Sequence, residues 1–126
     1  MNSKMIRIRK LIQSFKYAIT GIHYAFRNEQ NLVIHLIIAT LVMAASIIFR
    51  VTPYEMGILG LTMLMVIAAE MVNTALEKMV DLITKEHRVE AMIAKDVASG
   101  MVLITAIGSV IIGLLIFIPH ILDYIK

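Results

Sequence analysis

Three long apolar segments, separated by polar residues, dominate the sequence. They run from Leu32 to Phe49, from about Tyr54 to Val80, and from Ala98 to Ile118. A helix needs about 20 mostly apolar residues to cross a bilayer, so each segment is long enough to form a spanning helix. The predicted spans cover about residues 30–49, 54–80 and 97–119. Arg50 to Pro53 is a predicted short turn, and residues 81–96 are predicted to carry the second connection.

A different periodicity precedes the first span. Apolar residues recur there at alternating steps of three and four, which predicts a helix over residues of about 4–28 with one apolar stripe: Met5, Ile8, Ile12, Phe15, Ile19, Ile22 and Phe26. Basic residues occupy much of the remaining surface, as is typical of a helix on the cytoplasmic leaflet. Packing of the stripe against the protein's own spans is an alternative, and both can hold together.

Composition supports a membrane protein. Of the 126 residues, 60% are apolar, against roughly 45–50% in ordinary soluble domains, and the mean hydropathy is +0.85. Too few polar residues remain to cover a soluble globule, and a disordered chain would be less hydrophobic. The absence of cysteine excludes disulfides and thiol nucleophiles. We therefore predict one all-α integral membrane domain over residues 1–126.

The basic residues indicate the orientation. Ten of the 12 precede the first span or lie between the second and third, namely Lys4, Arg7, Arg9, Lys10, Lys16, Arg27, Lys78, Lys85, Arg88 and Lys95. Only Arg50 and Lys126 lie at the other end. The positive-inside rule then predicts a cytoplasmic N-terminus and an external C-terminus. Because the charges flank apolar segments, the net charge of +3 indicates a membrane surface and no nucleic-acid partner.

The second span contains a stripe of polar residues. Glu70, Asn73, Glu77 and Asp81 follow at steps of three, four and four, within an arc of roughly 80° on a helix. Carboxylates at membrane depth are costly and usually functional. Glu70 is expected on the cytoplasmic side of the midplane, where solutes and lipid headgroups can both reach it.

Two further polar clusters are predicted at the same membrane face. Asn28 to Asn31 precede the first span, and Lys95, Asp96 and Ser99 begin the third. Each cluster alone would be an ordinary interfacial loop, but their convergence with the stripe favours a functional site. Oxygen ligands suit Mg²⁺ and Lys95 suits a phosphate. The same groups could pass protons or cations, and the residues alone leave this choice open.

The segments from Glu70 to Asp81 and from Ala94 to Gly100 resemble the prokaryotic diacylglycerol kinase / undecaprenol kinase family. Its pattern is close to E-x-x-N-[ST]-A-[IL]-E-x-x-x-D, followed by A-K-D-x-[GA]-[SA], and Asn28-Glu29 matches its N-E pair. The resemblance covers nearly the whole chain. It implies a homotrimeric bundle in the bacterial plasma membrane that transfers the γ-phosphoryl group of ATP to a lipid alcohol.

The resemblance also implies roles for individual residues. Glu70 corresponds to a general base, and Glu29 and Glu77 to ligands of Mg²⁺. The substrate- and nucleotide-binding positions are Lys10, Asn73, Glu77, Lys95 and Asp96. Asp81 would have a structural role at a helix end, and His35 is interpreted as a packing or hydrogen-bonding residue.

The acceptor is predicted from the branch of the family. The diacylglycerol branch usually carries tryptophans near the N-E pair, whereas this chain has none. Phe26 to Asn31 and His35 are more similar to the Gram-positive branch, which is associated with undecaprenol. Undecaprenol is therefore favoured, with diacylglycerol as the alternative. A proton or cation conductor that uses Glu70 and Glu77 is a more distant hypothesis, as is a purely structural membrane protein. A conductor would not need the Ala94-Lys95-Asp96 cluster, whereas an ATP site would.

Overall fold

The chain is built from four helices. The computed structural model describes the backbone of residues 3–126 and side chains from residue 7 onward, so Lys4 and Met5 of the predicted amphipathic segment lie outside the described side chains. This part contains no strand, and its helices are α1 (Ser3–Asn28), α2 (Gln30–Ile48), α3 (Pro53–Ile83) and α4 (Val89–Ile125). Helices α2, α3 and α4 are long and apolar enough to cross a membrane, which confirms the prediction of three spanning helices.

The connection between α3 and α4 is shorter than predicted. The sequence pattern assigned residues 81–96 to it, but only residues 84–88 lie outside the two helices. Hydropathy marks where a chain leaves the apolar layer, whereas helical hydrogen bonding continues into the polar region on both sides. The 31 and 37 residues of α3 and α4 correspond to lengths of about 46 and 55 Å. Both helices therefore exceed the hydrocarbon thickness of about 30 Å.

Helix α1 continues without a break through Gly21 and ends next to α2. Glu29 is the extended N-cap residue of α2, and its backbone N–H donates to the Ala25 carbonyl over 2.9 Å. Much of the apolar stripe of α1 stays uncovered by the rest of the chain, including Ile8, Ile12, Phe15, Ile19 and Ile22. The spans of this chain therefore do not bury the stripe.

A tight turn joins α2 to α3. Arg50 adopts a left-handed conformation with φ 54°, a region that few residues other than glycine occupy. A capping box follows, in which Thr52 Oγ1 accepts from the Glu55 N–H over 3.3 Å and the Glu55 carboxylate accepts from the Thr52 N–H over 3.0 Å. Pro53 supplies the first helical residue, where its missing N–H is not needed.

The C-terminal end of α4 packs against this turn. His120 Nε2 lies 2.9 Å from Glu55 Oε2, and α4 continues through Pro119 to Ile125, beyond the predicted end of the third span. Phe49 packs edge-on against Phe117 and Tyr124. These contacts hold the α2–α3 turn against the end of α4.

Helix α3 lies between its neighbours and packs most extensively against α4, then against α2. The buried apolar cluster of Val51, Leu59 and Ile116 lies near the turn. Towards the opposite end of α3, the buried residues include Glu70, Asn73 and Thr74. The central helix is therefore apolar in its packing near one end and polar near the other.

We expect Thr52→Ala to destabilise the fold, because the substitution leaves the Glu55 N–H without its capping oxygen. The expected loss is about 1 kcal/mol in free energy of unfolding, the typical value of an N-cap. Unfolding by a denaturing detergent, followed by circular dichroism in micelles, measures it. Thr52→Ser keeps the oxygen and should behave like the wild type, and equal destabilisation by both variants would contradict the capping role.

Candidate functional site

The buried polar face of α3 forms the centre of the candidate site. Glu70, Asn73 and Thr74 are 5%, 9% and 7% exposed. Successive steps of three and four place Glu70, Asn73, Glu77 and Asp81 on one side of the helix. Because α3 lies between α2 and α4, this side is the one that meets groups from both neighbours.

Helix α2 supplies the partner of Glu70. His35 Nε2 lies 3.5 Å from Glu70 Oε1, and the two side chains are 23% and 6% exposed. The sequence interpretation of His35 as a packing or hydrogen-bonding residue did not connect it with Glu70. A histidine within an apolar span was the available signal, but the rotation of α2 against α3 decides which residue it faces.

Asn73 contacts the next carboxylate along the stripe, Glu77. Its Nδ2 donates to Glu77 Oε1 over 3.0 Å. Its Oδ1 is buried and has no hydrogen-bond partner within the described residues. A buried amide oxygen without a donor is costly, so this atom is available to a hydroxyl group or to a cation.

A cavity of about 390 Å³ lies against this part of α3. Its polar lining comes from all three spanning helices and consists of Asn31, His35, Glu70, Asn73 and Ser99. Its apolar lining consists of Ile34, Val102, Leu103 and Ala106. A cavity with polar and apolar walls suits a ligand that carries a small polar group on a hydrocarbon chain.

The predicted phosphate-binding residues lie in a different place. Lys95 Nζ contacts Asp81 Oδ1 at 2.5 Å, and both side chains line a cavity of about 610 Å³ at the α3–α4 connection, together with Asp96. Glu70 and Asp81 are 11 residues apart, which is about 16 Å along the helix. Lys95 and Asp96 therefore do not line the cavity beside Glu70, although Ser99, one turn further along α4, does.

The 2.5 Å contact also gives Asp81 a partner on another helix. The carboxylate oxygen Oδ1 accepts from the Lys95 ammonium group and so joins α3 to α4 beside their connection. This pair agrees with a structural role for Asp81.

Glu29 and Lys10 stand apart from both cavities. Glu29 is half-buried at the start of α2, and Lys10 is exposed on α1. Neither residue lines a described cavity. Among the described side chains, no three acidic or histidine residues are grouped to hold a metal ion. The single chain therefore does not bring the predicted magnesium ligands Glu29 and Glu77 into such a group.

Comparison with known proteins identifies the family. The family described as prokaryotic diacylglycerol kinase matches residues 16–117. The chain belongs to this family. The resemblance predicted from the Glu70–Asp81 and Ala94–Gly100 segments is thereby confirmed, and the chain is a member of a family of membrane lipid kinases.

Individual relatives carry two different names. A diacylglycerol kinase of Synechocystis sp. is 38% identical over 90% of this chain and 65% of its own length. An undecaprenol kinase of Bacillus subtilis is 38% identical over 94% of this chain and 98% of its own. A diacylglycerol kinase of Haemophilus influenzae is 31% identical over 90% of this chain and 98% of its own length. The chain thus spans about two thirds of the cyanobacterial relative and matches both named activities equally well.

Proposed function

We propose that this protein transfers the γ-phosphoryl group of ATP to the hydroxyl group of undecaprenol, with diacylglycerol as the alternative acceptor. The observation that carries the proposal is the position of Glu70. This buried carboxylate borders a cavity that has polar and apolar walls. Such a cavity suits a lipid alcohol, whose hydroxyl group must reach a base while its chain stays in an apolar environment.

Glu70 acts as the general base in this proposal. The acceptor oxygen forms its bond to the γ-phosphorus while the bond from that phosphorus to the ADP oxygen breaks. The hydroxyl proton passes to the Glu70 carboxylate. Asn73 Oδ1, unpartnered within the described residues, would accept the hydrogen bond of the incoming hydroxyl group before that same proton turns to Glu70. Positioning and charge stabilisation, which dominate phosphoryl transfer, are left to the nucleotide-binding residues.

The nucleotide is proposed to bind towards the cytoplasmic ends of α3 and α4. Lys95 would contact phosphate, and Asp96 and Lys10 would help to hold the nucleotide. The ammonium group of Lys95 is engaged by Asp81 in this structure. An incoming phosphate would therefore have to share or replace that carboxylate as the partner of Lys95.

Magnesium is proposed to bind with the nucleotide through Glu77 and Glu29. Mg²⁺ is often held by one or two carboxylates together with substrate phosphates and water, so a group of three protein ligands is not required. The fit rests on Glu77, whose carboxylate offers hard oxygen donors and whose Oε1 accepts from Asn73 Nδ2 over 3.0 Å. A bound ion would neutralise phosphate charge during the transfer.

Undecaprenol is favoured over diacylglycerol by the sequence around α2 and by one relative. The chain contains no tryptophan. Of the two relatives that are covered over 98% of their length, the Bacillus subtilis undecaprenol kinase is 38% identical and the Haemophilus influenzae diacylglycerol kinase 31%. A polyprenol carries a single hydroxyl group and no ester oxygens. This chemistry suits a cavity whose α4 side is largely apolar, at Val102, Leu103 and Ala106.

The protein is proposed to be a homotrimer in the bacterial plasma membrane, with α1 lying on the cytoplasmic leaflet. The exposed apolar stripe of α1 and its basic residues suit an anionic membrane surface. The many exposed apolar side chains of the spans form a surface that suits contact with lipid and with other subunits. A second subunit against the open side of the Glu70 cavity would shield it from lipid.

Phosphoryl transfer from labelled ATP in mixed micelles tests the function directly. We expect magnesium-dependent phosphorylation of both lipids, with more product from undecaprenol than from diacylglycerol. Glu70→Gln should lose at least 100-fold in turnover, since the amide cannot accept the proton. A preference for diacylglycerol would reverse the acceptor assignment. Full activity of Glu70→Gln would refute the role of this residue as base.

The metal proposal has its own test. Glu77→Gln keeps the side-chain length and an oxygen beside Asn73 but removes the negative charge. We expect the magnesium concentration for half-maximal activity to rise at least tenfold, because a neutral amide is a poorer magnesium ligand. Glu90→Gln, which changes an exposed carboxylate at the start of α4, is the matched control. An unchanged magnesium dependence in Glu77→Gln would contradict the assignment.

The orientation can be read from single cysteines, because the chain has none of its own. Glu86→Cys lies in the α3–α4 connection and Lys126→Cys at the C-terminus. In sealed right-side-out vesicles, a membrane-impermeant thiol reagent should label position 126 and spare position 86. Inverted vesicles should give the opposite pattern, and the same pattern in both preparations would argue against a fixed orientation.

A further inference from the structure

Helix α2 contacts the buried Glu70 carboxylate through His35. We propose that His35 is a positioning residue, which donates a hydrogen bond from Nε2 to Glu70 Oε1 and leaves Oε2 to receive the acceptor proton. The inference rests on the proposed function of Glu70 as base. Its structural basis is the 3.5 Å separation of the two side chains across the α2–α3 interface.

Glu70 needs such a partner because its own helix does not fix it. A glutamate side chain has three rotatable bonds, and its carboxylate can turn about the last of them with little resistance. Within the described residues, His35 is the side chain that pairs with this carboxylate. Asn73, one turn away on α3, directs its amide group to Glu77 instead. Orientation of the Glu70 carboxylate therefore falls to α2.

The two residues also share the cavity. His35 and Glu70 both line the 390 Å³ space, opposite Ser99 and Leu103 of α4. An acceptor hydroxyl entering this space would approach a carboxylate whose other oxygen faces the imidazole. Catalytic hydrogen bonds are often long before substrate binds and shorten in the productive complex, so 3.5 Å is a suitable starting separation.

The proton balance leaves His35 unchanged. During transfer, the acceptor oxygen forms the new bond to phosphorus, the bond to the ADP oxygen breaks, and the acceptor proton moves to Glu70 Oε2. The imidazole keeps its Nε2 proton throughout and acts only through its contact with Oε1. His35 is therefore required for the rate of the chemical step and not for binding of ATP.

Two substitutions distinguish hydrogen bonding from packing. His35→Gln loses the ring but keeps an N–H donor near the position of Nε2, whereas His35→Phe keeps a ring of similar size without a donor. We expect His35→Gln to stay within about threefold of wild-type kcat, and His35→Phe to lose 30- to 100-fold. Misplacement of a reacting group by about 1 Å has an effect of this order. The KM values for ATP and for the lipid should change less than threefold in both.

A second histidine–carboxylate pair, near the α2–α3 turn, provides a matched control. His120 and Glu55 form a second imidazole–carboxylate pair between two helices, with the atoms 2.9 Å apart and similar partial burial of the histidine. His120→Gln and His120→Phe repeat the same chemical changes away from the cavity. We expect both to retain wild-type kcat, and any effect should appear in detergent stability alone.

The outcomes separate the inference from the function on which it rests. Wild-type kcat in His35→Phe, or equal loss in the Phe and Gln variants, would overturn the positioning role. If His35→Phe does not fold, as judged by gel filtration, His35→Asn replaces it. The shorter amide of His35→Asn should not reach Glu70. Equal activity of the His35→Asn and His35→Gln variants would therefore also overturn the role. An inactive wild type or a fully active Glu70→Gln would instead refute the proposed function.

Discussion

The cost of a carboxylate in an apolar layer is the constraint around which this protein is organised. Glu70 is nearly inaccessible within a helix whose length and hydropathy suit a membrane span. An uncompensated charge in that position costs several kcal/mol. Within the described residues, His35 of α2 is the side chain that pairs with this carboxylate, with 3.5 Å between Nε2 and Oε1. The protein thus keeps an ionisable group where an ordinary spanning helix would carry leucine or valine.

The polar stripe of α3 divides its contacts between its two neighbours. Glu70, near the middle of α3, contacts His35 of α2. Asp81, near the α3–α4 connection, contacts Lys95 of α4. Asn73 and Glu77 are joined between these two contacts. The proposed lipid end and the proposed nucleotide end therefore lie along one continuous helix face, which is an economical way to join an apolar substrate to a water-soluble one.

Hydropathy and periodicity were sufficient to predict the helices but not their contacts. The apolar segments predicted three spans because burial in lipid requires long uncharged runs. The same signal placed the α3–α4 connection at residues 81–96, since charged residues there continue the helices outside the apolar layer. Pairs such as His35–Glu70 and His120–Glu55 depend on how each helix is rotated about its axis. That rotation is set by packing of many side chains and has no local sequence signature.

The uninterrupted course of α3 has a mechanical consequence. Because Glu70 and Asp81 belong to one rigid helix, their separation of about 16 Å along the axis cannot adjust to the surrounding bilayer. A membrane thicker or thinner than the apolar length of the helices must deform or tilt them as a unit. The depth of the carboxylate relative to the lipid headgroups is then a property of the bilayer as much as of the protein. Hydrophobic mismatch thereby becomes a determinant of how readily a lipid hydroxyl would reach the proposed base.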